Sequence, residues 1–531
     1  MNDSTHTIRR SAKLFFSGTL LSRISGMLRD MAMAYAFGTN ASVASFMVAY
    51  RLSHVCRRLF GEGALQAAFI PQFEALRHES SKRAFIFFRD LAATLACFLL
   101  TFILLGCLGV GYFLTSSEAS PVNNEILFLT LLMFPSLLFI CLFGLNASLL
   151  QCEKCFFTPA AAPMAFNFIW IGVVWLIRPF SAEKAMPLLA IGVIAACLLQ
   201  WTMTVPKTWK VLKAGLEGSL WSDARLFSSD VMNMGKPFIL GFIGVGASQI
   251  NVVIDSLFAR YAEVEGPALL WYAMRLQQLP LALFSIAMAG ALLPPLTRAI
   301  KAHDWEKYTH FLNEAILQTL CLMIPLTMAI FAIGDTAVNL IFGHGDFSNL
   351  SVWGTARCLW AYGIGLIPTS LVLLLAPACY AQSHYRMPAL AACLNMVLNF
   401  ILNLVFITGF GWGAMSVALA TSISAWANLI LLGSFLARKN ALKLSPALLQ
   451  KTLKVSLSSC LAFLATEWWR ELFYQPASSL LWNRSIIFPH SFLIQCENAI
   501  SQFFLFVLIF FISCRLLKIT IFSPSKIGGI L

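Results

Sequence analysis

The chain has 531 residues, 59% of them hydrophobic and only 11% charged, with a mean hydropathy of +0.77. This excludes a soluble globular protein, and apolar runs of roughly twenty residues, each long enough to cross about 30 Å of hydrocarbon, recur to its end. The formal charge of +13 does not point to nucleic acid, because the cations sit in short loops beside helix ends.

In chain order, hydropathy and loop punctuation predict an all-α polytopic membrane protein with about 14 transmembrane helices, near 12–37, 43–73, 84–113, 126–150, 158–178, 186–205, 235–259, 267–297, 310–333, 352–381, 387–408, 412–436, 450–473 and 497–518. The alternating ten-residue strands of a closed barrel are absent, and open sheet is not viable in lipid. Arg9, Arg10 and Lys13 precede an apolar run that Arg23 interrupts, with no small-residue cleavage site, so the first helix is expected to be retained. Fourteen cysteines lie scattered, mostly in apolar runs, and read as buried thiols. Cys152-Glu153-Lys154-Cys155 lacks the second pair or histidines of a zinc site.

Loops on the N-terminal side carry roughly 24 Lys/Arg and the opposite loops about five, which places both termini in the cytoplasm by the positive-inside rule. The chain also repeats itself. Ala49-Tyr50-Arg51-Leu52, Leu59-Phe60 and Pro71 return as Ala273-Met274-Arg275-Leu276, Leu283-Phe284 and Pro295. Pro135-Ser136, Gln151 and Asn167 are echoed by Pro368-Thr369-Ser370, Gln382 and Asn395. Two parallel, pseudo-symmetric six-helix lobes are therefore expected, at 1–205 and 235–440, joined by a cytoplasmic linker at 206–234 and followed by two further helices within 441–531.

The first two helices carry charge where lipid forbids it. Ser22, Gly26 and Arg29 follow i, i+4, i+7, with Arg23 and Asp30 on the adjoining row, while Arg51, His54, Arg57, Arg58 and Glu62 crowd the second helix. An arginine at the bilayer centre costs about 2.5–3.5 kcal/mol on insertion scales, so these faces imply a watery cavity or firm pairing. Local pairs, Arg58 with Glu62 and Arg29 with Asp30, account for some of the charge, and Arg51 and Arg58 fit that structural role better than Arg23, Arg29 and Arg57. Arg275 on the eighth helix has no obvious acidic neighbour. Excess guanidinium in a cavity suits an anionic, phosphate-bearing substrate. No G-x-x-x-x-G-K-[ST] loop is present, which argues against ATP hydrolysis, and the outer loops are too short for a glycosyltransferase or hydrolase site.

Ser22-Arg23-x-x-Gly26-x-x-Arg29-Asp30, Phe37-Gly38, Arg57-Arg58-x-Phe60-x-Glu62-Gly63-Ala64, Phe69-x-Pro71 and Ala273-x-Arg275-Leu276 closely resemble the MurJ/MviN family of lipid II flippases. The resemblance implies a transporter, not an enzyme, of the multidrug/oligosaccharidyl-lipid/polysaccharide exporter superfamily. It further implies two lobes around a central cavity and a lipid-tail groove from the last two helices. The substrate implied is lipid II, the undecaprenyl-pyrophosphate-linked muropeptide, moved by alternating access across the bacterial inner membrane beside the cell-wall synthesis machinery. By position, the family's cavity residues fall on Arg23, Arg29, Arg57 and Arg275, with Ser22, Asp30 and Glu62 also matching. No cofactor is implied beyond sodium as a coupling ion, for which Asp255, Asn395, Asn399, Asn403 and Thr421 are the candidate ligands. The chain departs from the family pattern at Ala44 and Met274, where aspartates are expected, at Ser53 in place of proline and at Gln278 in place of an acid. Another polyprenyl-pyrophosphate oligosaccharide as substrate, or cation-coupled export of the kind found elsewhere in the superfamily, is the alternative.

Overall fold

The structure is a computed structural model that describes residues 5–60, 63–116, 121–216, 223–439, 441–473 and 491–519. Among the described residues it is built of helices, without strands. The first nine are α1 (Thr5–Phe37), α2 (Ala41–Phe60), α3 (Ala64–Glu79), α4 (Ser81–Ser116), α5 (Pro121–Met133), α6 (Ser136–Cys152), α7 (Phe157–Ile177), α8 (Ala182–Thr202) and α9 (Val205–Gly215). They are followed by α10 (Ser229–Ala262), α11 (Gly266–Pro280), α12 (Ile286–Lys301), α13 (Trp305–Phe342), α14 (Asn349–Ile364) and α15 (Leu366–Ala381). The last four are α16 (Arg386–Leu404), α17 (Met415–Arg438), α18 (Pro446–Phe473) and α19 (Phe492–Leu516).

Seven helices among the described residues are long and apolar enough to cross a membrane, or nine if each of two bent pairs counts as one span. The chain is a multi-pass membrane protein. The remaining expected crossings are helical too among the described residues. The stretch expected as one helix at 43–73 is broken at Gly63, whose φ of 73° suits a residue without a Cβ. The stretch at 267–297 passes through a π-helical turn at Leu281–Ser285, directly after Pro280, whose ring removes a backbone donor. The spans at 126–150 and 352–381 bend by 48° and 41°. The second bend falls at Gly365, where a Cβ would lie 2.6 Å from Ser422 Oγ, so only glycine lets α17 approach this closely.

The chain divides into two compact units, Met1–Leu257 and Phe258–Leu531, with the division inside α10. Within the first, α2 packs on α5, α3 on α4 and α6, and α8 on α6 and α7. Within the second, α11 packs on α14, α12 on α13 and α15, and α17 on α15 and α16. The two sets have the same order of long, bent and straight helices. In the second unit a buried apolar cluster, including Leu296, Leu312, Leu374, Leu432 and Leu436, joins α12, α13, α15 and α17.

Two polar connections are absent from the hydropathy pattern. Residues just before α10 are fastened along one face of α4. There Arg89 Nη2 donates to the Asp223 carbonyl (2.9 Å), Asp90 Oδ1 accepts from the Arg225 amide (3.1 Å) and Thr94 Oγ1 from the Phe227 amide (3.2 Å). Arg83 adds a bidentate pair to Asp230. In the second unit, α13 holds the two final helices. Asp335, fully buried, pairs with Arg470 on α18, Thr336 Oγ1 donates to Gln502 Oε1 (3.0 Å), and Gln495 Nε2 donates to the Gly343 carbonyl (3.3 Å). Apolar contacts of Val455, Ala462, Phe506 and Phe510 fill the same interface. The expectation of uniformly buried thiols is corrected. Cys141, Cys197, Cys358, Cys379 and Cys514 are buried, but Cys97, Cys393 and Cys460 lie exposed on apolar helices, where lipid solvates a thiol without penalty.

Candidate functional site

The site begins with the packing of α1 on α7. The two run parallel, Gly18 lying against Ala160 near one end and Tyr35 accepting from Arg178 beyond the other. Small residues let them close. A Cβ on Gly18 would stand 2.8 Å from that of Ala160, and Gly26 faces Asn167. This approach places the polar face of α1 against the middle of α7.

Arg29 is buried, as is Asp30. Its Nε and Nη2 donate to Asp30 Oδ1 at 3.1 and 2.8 Å, and its Nη1 donates to Asn167 Oδ1 at 3.2 Å. The guanidinium stands 4.9 Å from the ring centre of Trp170, within cation-π range. Trp170 is itself fixed by edge contacts with Phe46 and Tyr50, at 5.5 and 5.1 Å, and by Phe166 at 5.7 Å. Asn167 Nδ2 donates to the Ser22 carbonyl (3.2 Å) and to Ser25 Oγ (2.8 Å). Ser22 therefore takes part through its backbone. Arg23 is half-buried on α1. Arg57, half-buried at the end of α2, is close enough to Arg29 for their charges to repel.

The local pair expected for Arg29 and Asp30 thus forms, so Arg29 is held rather than bare. Arg51 is buried and donates to Ser256 Oγ on α10 (2.8 Å), a structural tie, and Arg58 is exposed. Glu62 lies outside the described residues. Arg275, on α11 in the second unit, stacks over Trp271 one turn earlier, 4.7 Å from its ring centre. Among the departures, Ala44 and Ser53 are buried, Met274 is half-buried and Gln278 is exposed. A carboxylate at position 44 would be stripped of water, and alanine avoids that cost.

Of the candidate sodium ligands, the second unit brings Asn399, Asn403 and Thr421 together. Asn399 Nδ2 donates to Thr421 Oγ1 (3.2 Å), and Asn403 Nδ2 donates to Asn399 Oδ1 (2.7 Å). Asn395 lies one turn before Asn399, and its buried Oδ1 has no donor among the described residues. Asp255, buried on α10 in the first unit, accepts from Asn251 Nδ2 (3.3 Å).

Sequence reasoning valued Asn167 only as a marker of the repeat. Its signal was an amide in the middle of an apolar run, which in lipid needs partners.

The family model described as "Lipid II flippase MurJ" matches residues 33–482. The chain is 32% identical over 430 residues to a protein of Chlamydia muridarum named probable lipid II flippase MurJ, covering 81% of this chain and 78% of that one. This chain belongs to the MurJ lipid II flippase family. A solved structure titled lipid II flippase MurJ, inward closed conformation, shares its fold with a TM-score of 0.73 at 22% identity, over 94% of this chain and 98% of that one. An inward-facing multidrug MATE transporter of the MOP superfamily superposes at a TM-score of 0.64 and 12% identity, over 83% of this chain and 99% of that one. Within this MurJ-family chain, Arg57 and Arg275 fall inside the matched range of the family model, while Arg23 and Arg29 precede it.

Proposed function

We propose that this chain moves lipid II from the inner to the outer leaflet of the bacterial cytoplasmic membrane, with both termini on the cytoplasmic side, in support of cell-wall assembly. The observation that carries the reading is the polar face of α1 buried against α7, where Asp30 compensates Arg29 while Arg23 and Arg57 add further cations nearby. In this proposal Arg23, Arg29 and Arg57 engage the diphosphate, Ser22 and Asp30 shape that surface, and Arg275 and Glu62 join through their family positions. The lobes are 1–205 and 235–440, the linker 206–234, and the last two helices receive the lipid tail. Moving a double negative charge outward down an inside-negative potential is favourable by about 4–5 kcal/mol at 100 mV if the whole field is crossed. The membrane potential therefore biases the cycle. Sodium coupling is the second part of the proposal. It is supported by the Asn399–Asn403–Thr421 chain and the buried Asn395 oxygen within the second unit, with Asp255 joining only through its family position.

The test is to deplete the protein and treat cells with a membrane-impermeant enzyme that cleaves outward-facing lipid II. Protection of lipid II after depletion, restored by the wild type and not by Arg23→Ala, is the expected result. Lipid II that stays fully cleavable after depletion rejects the reading.

A further inference from the structure

Asn167 spends its three hydrogen bonds in two directions. Its Nδ2 ties α7 to α1 through Ser22 and Ser25, which would suffice for helix packing. Its Oδ1 is turned to Arg29 Nη1. A guanidinium has five N–H donors in a fixed plane. In Arg29, Nε and one N–H of Nη2 go to Asp30, and one N–H of Nη1 goes to Asn167. One N–H on each terminal nitrogen is left over for an anion. The plane is fixed from below by Trp170, one turn after Asn167, whose buried Nε1 has no acceptor among the described residues.

We propose that Asn167, with the face of Trp170 behind the guanidinium, is the positioning residue that sets the rotation of Arg29 and presents its two remaining N–H groups to a diphosphate. Asp30 alone would hold the Nε edge and leave the fork free to tilt about that contact. Asn167 removes the tilt. The inference rests on the reading that Arg29 engages the substrate.

The experiment measures binding of purified lipid II to the full-length protein in nanodiscs, for the wild type, Asn167→Leu, Asn167→Asp, Arg29→Ala and the Arg29→Ala/Asn167→Leu double variant, alongside their melting temperatures. Asn167→Leu is expected to weaken binding about tenfold, the scale of one hydrogen bond to a charged group. It is expected to add nothing once Arg29 is gone. Asn167→Asp has nearly the same shape and guards against a folding failure. Its second carboxylate beside Arg29 is expected to weaken binding more than leucine does. Wild-type affinity in Asn167→Leu or Asn167→Asp overturns the proposal, as does an equal loss from Asn167→Leu with and without Arg29, which marks a purely structural role. Wild-type affinity in Arg29→Ala instead rejects the underlying reading of the site.

Discussion

Asp30 Oδ1 accepts two hydrogen bonds from its own neighbour Arg29, at 3.1 Å from Nε and 2.8 Å from Nη2, with both side chains buried. Asp90 holds Arg89 in the same way, at 3.1 and 3.0 Å. The adjacent Arg-Asp pair is thus used twice in the first unit, once at the candidate site and once to fasten the chain before α10. In each case the aspartate makes a buried guanidinium tolerable without using all its donors.

At the candidate site the aspartate competes with an incoming anion for Arg29. Asp30→Asn is expected to tighten lipid II binding about tenfold and to slow release, so that transport falls while affinity rises. Binding to purified protein and the outward-cleavage assay in cells measure the two separately. Loss of affinity would show that Asp30 shapes the site rather than competing in it.

Adjacent arginines on α2 are expected to behave differently. Arg57 is half-buried and feels the charge of Arg29, while Arg58 is exposed. Arg57→Ala should fail to support growth of depleted cells, and Arg58→Ala should support it at near wild-type rate. Growth complementation at matched expression distinguishes them.

Thr94→Val removes the acceptor of the Phe227 amide while keeping the shape of the side chain. Hydrogen exchange at that amide is expected to accelerate about tenfold, the equivalent of one hydrogen bond of roughly 1.4 kcal/mol. Amides of α7 should be unchanged, which makes them the internal control.

The Asp335–Arg470 pair lies almost wholly out of solvent, with Asp335 fully buried. Arg470→Ala leaves a buried carboxylate without its guanidinium and is expected to cost about 3–5 kcal/mol, read as a lowered melting temperature in detergent. Asp335→Leu/Arg470→Met, which removes both charges and keeps the volume, should recover most of that loss. Failure to recover would mean that the pair also fixes the orientation of α18 on α13.

Much of the architecture was legible in the sequence, because the bilayer allows few ways to satisfy a backbone. Runs of apolar residues located the long helical stretches, though not α9, which falls at the start of the expected linker, and the Arg51/Arg275 and Pro71/Pro295 echoes set α2–α3 against α11–α12 as matching stretches, each expected as one unbroken helix. Less legible were the breaks themselves. Pro280 and Gly365 look the same in sequence whether a helix kinks, forms a π turn or merely bends, since the outcome depends on what packs against it. Gly365 bends where Ser422 of α17 comes close.

For the site, the sequence by itself determined that more guanidinium lies in the first two helices than their carboxylates neutralise, and that lipid cannot solvate the excess. Beyond the adjacent Arg29–Asp30 pair and the expectation that Arg51 is structural, it could not decide which neighbouring helix holds each cation. The adjacent Asp30 is a partner for Arg29 that the sequence itself offers, but only the tertiary structure adds Asn167 and Trp170 to it and gives Arg51 to Ser256. The reason is physical. A helix's own periodicity sets which residues share its face, but the partner of a buried charge is chosen by the neighbouring helix, and its register is set by small residues such as Gly18 and Gly26 that let α7 come near.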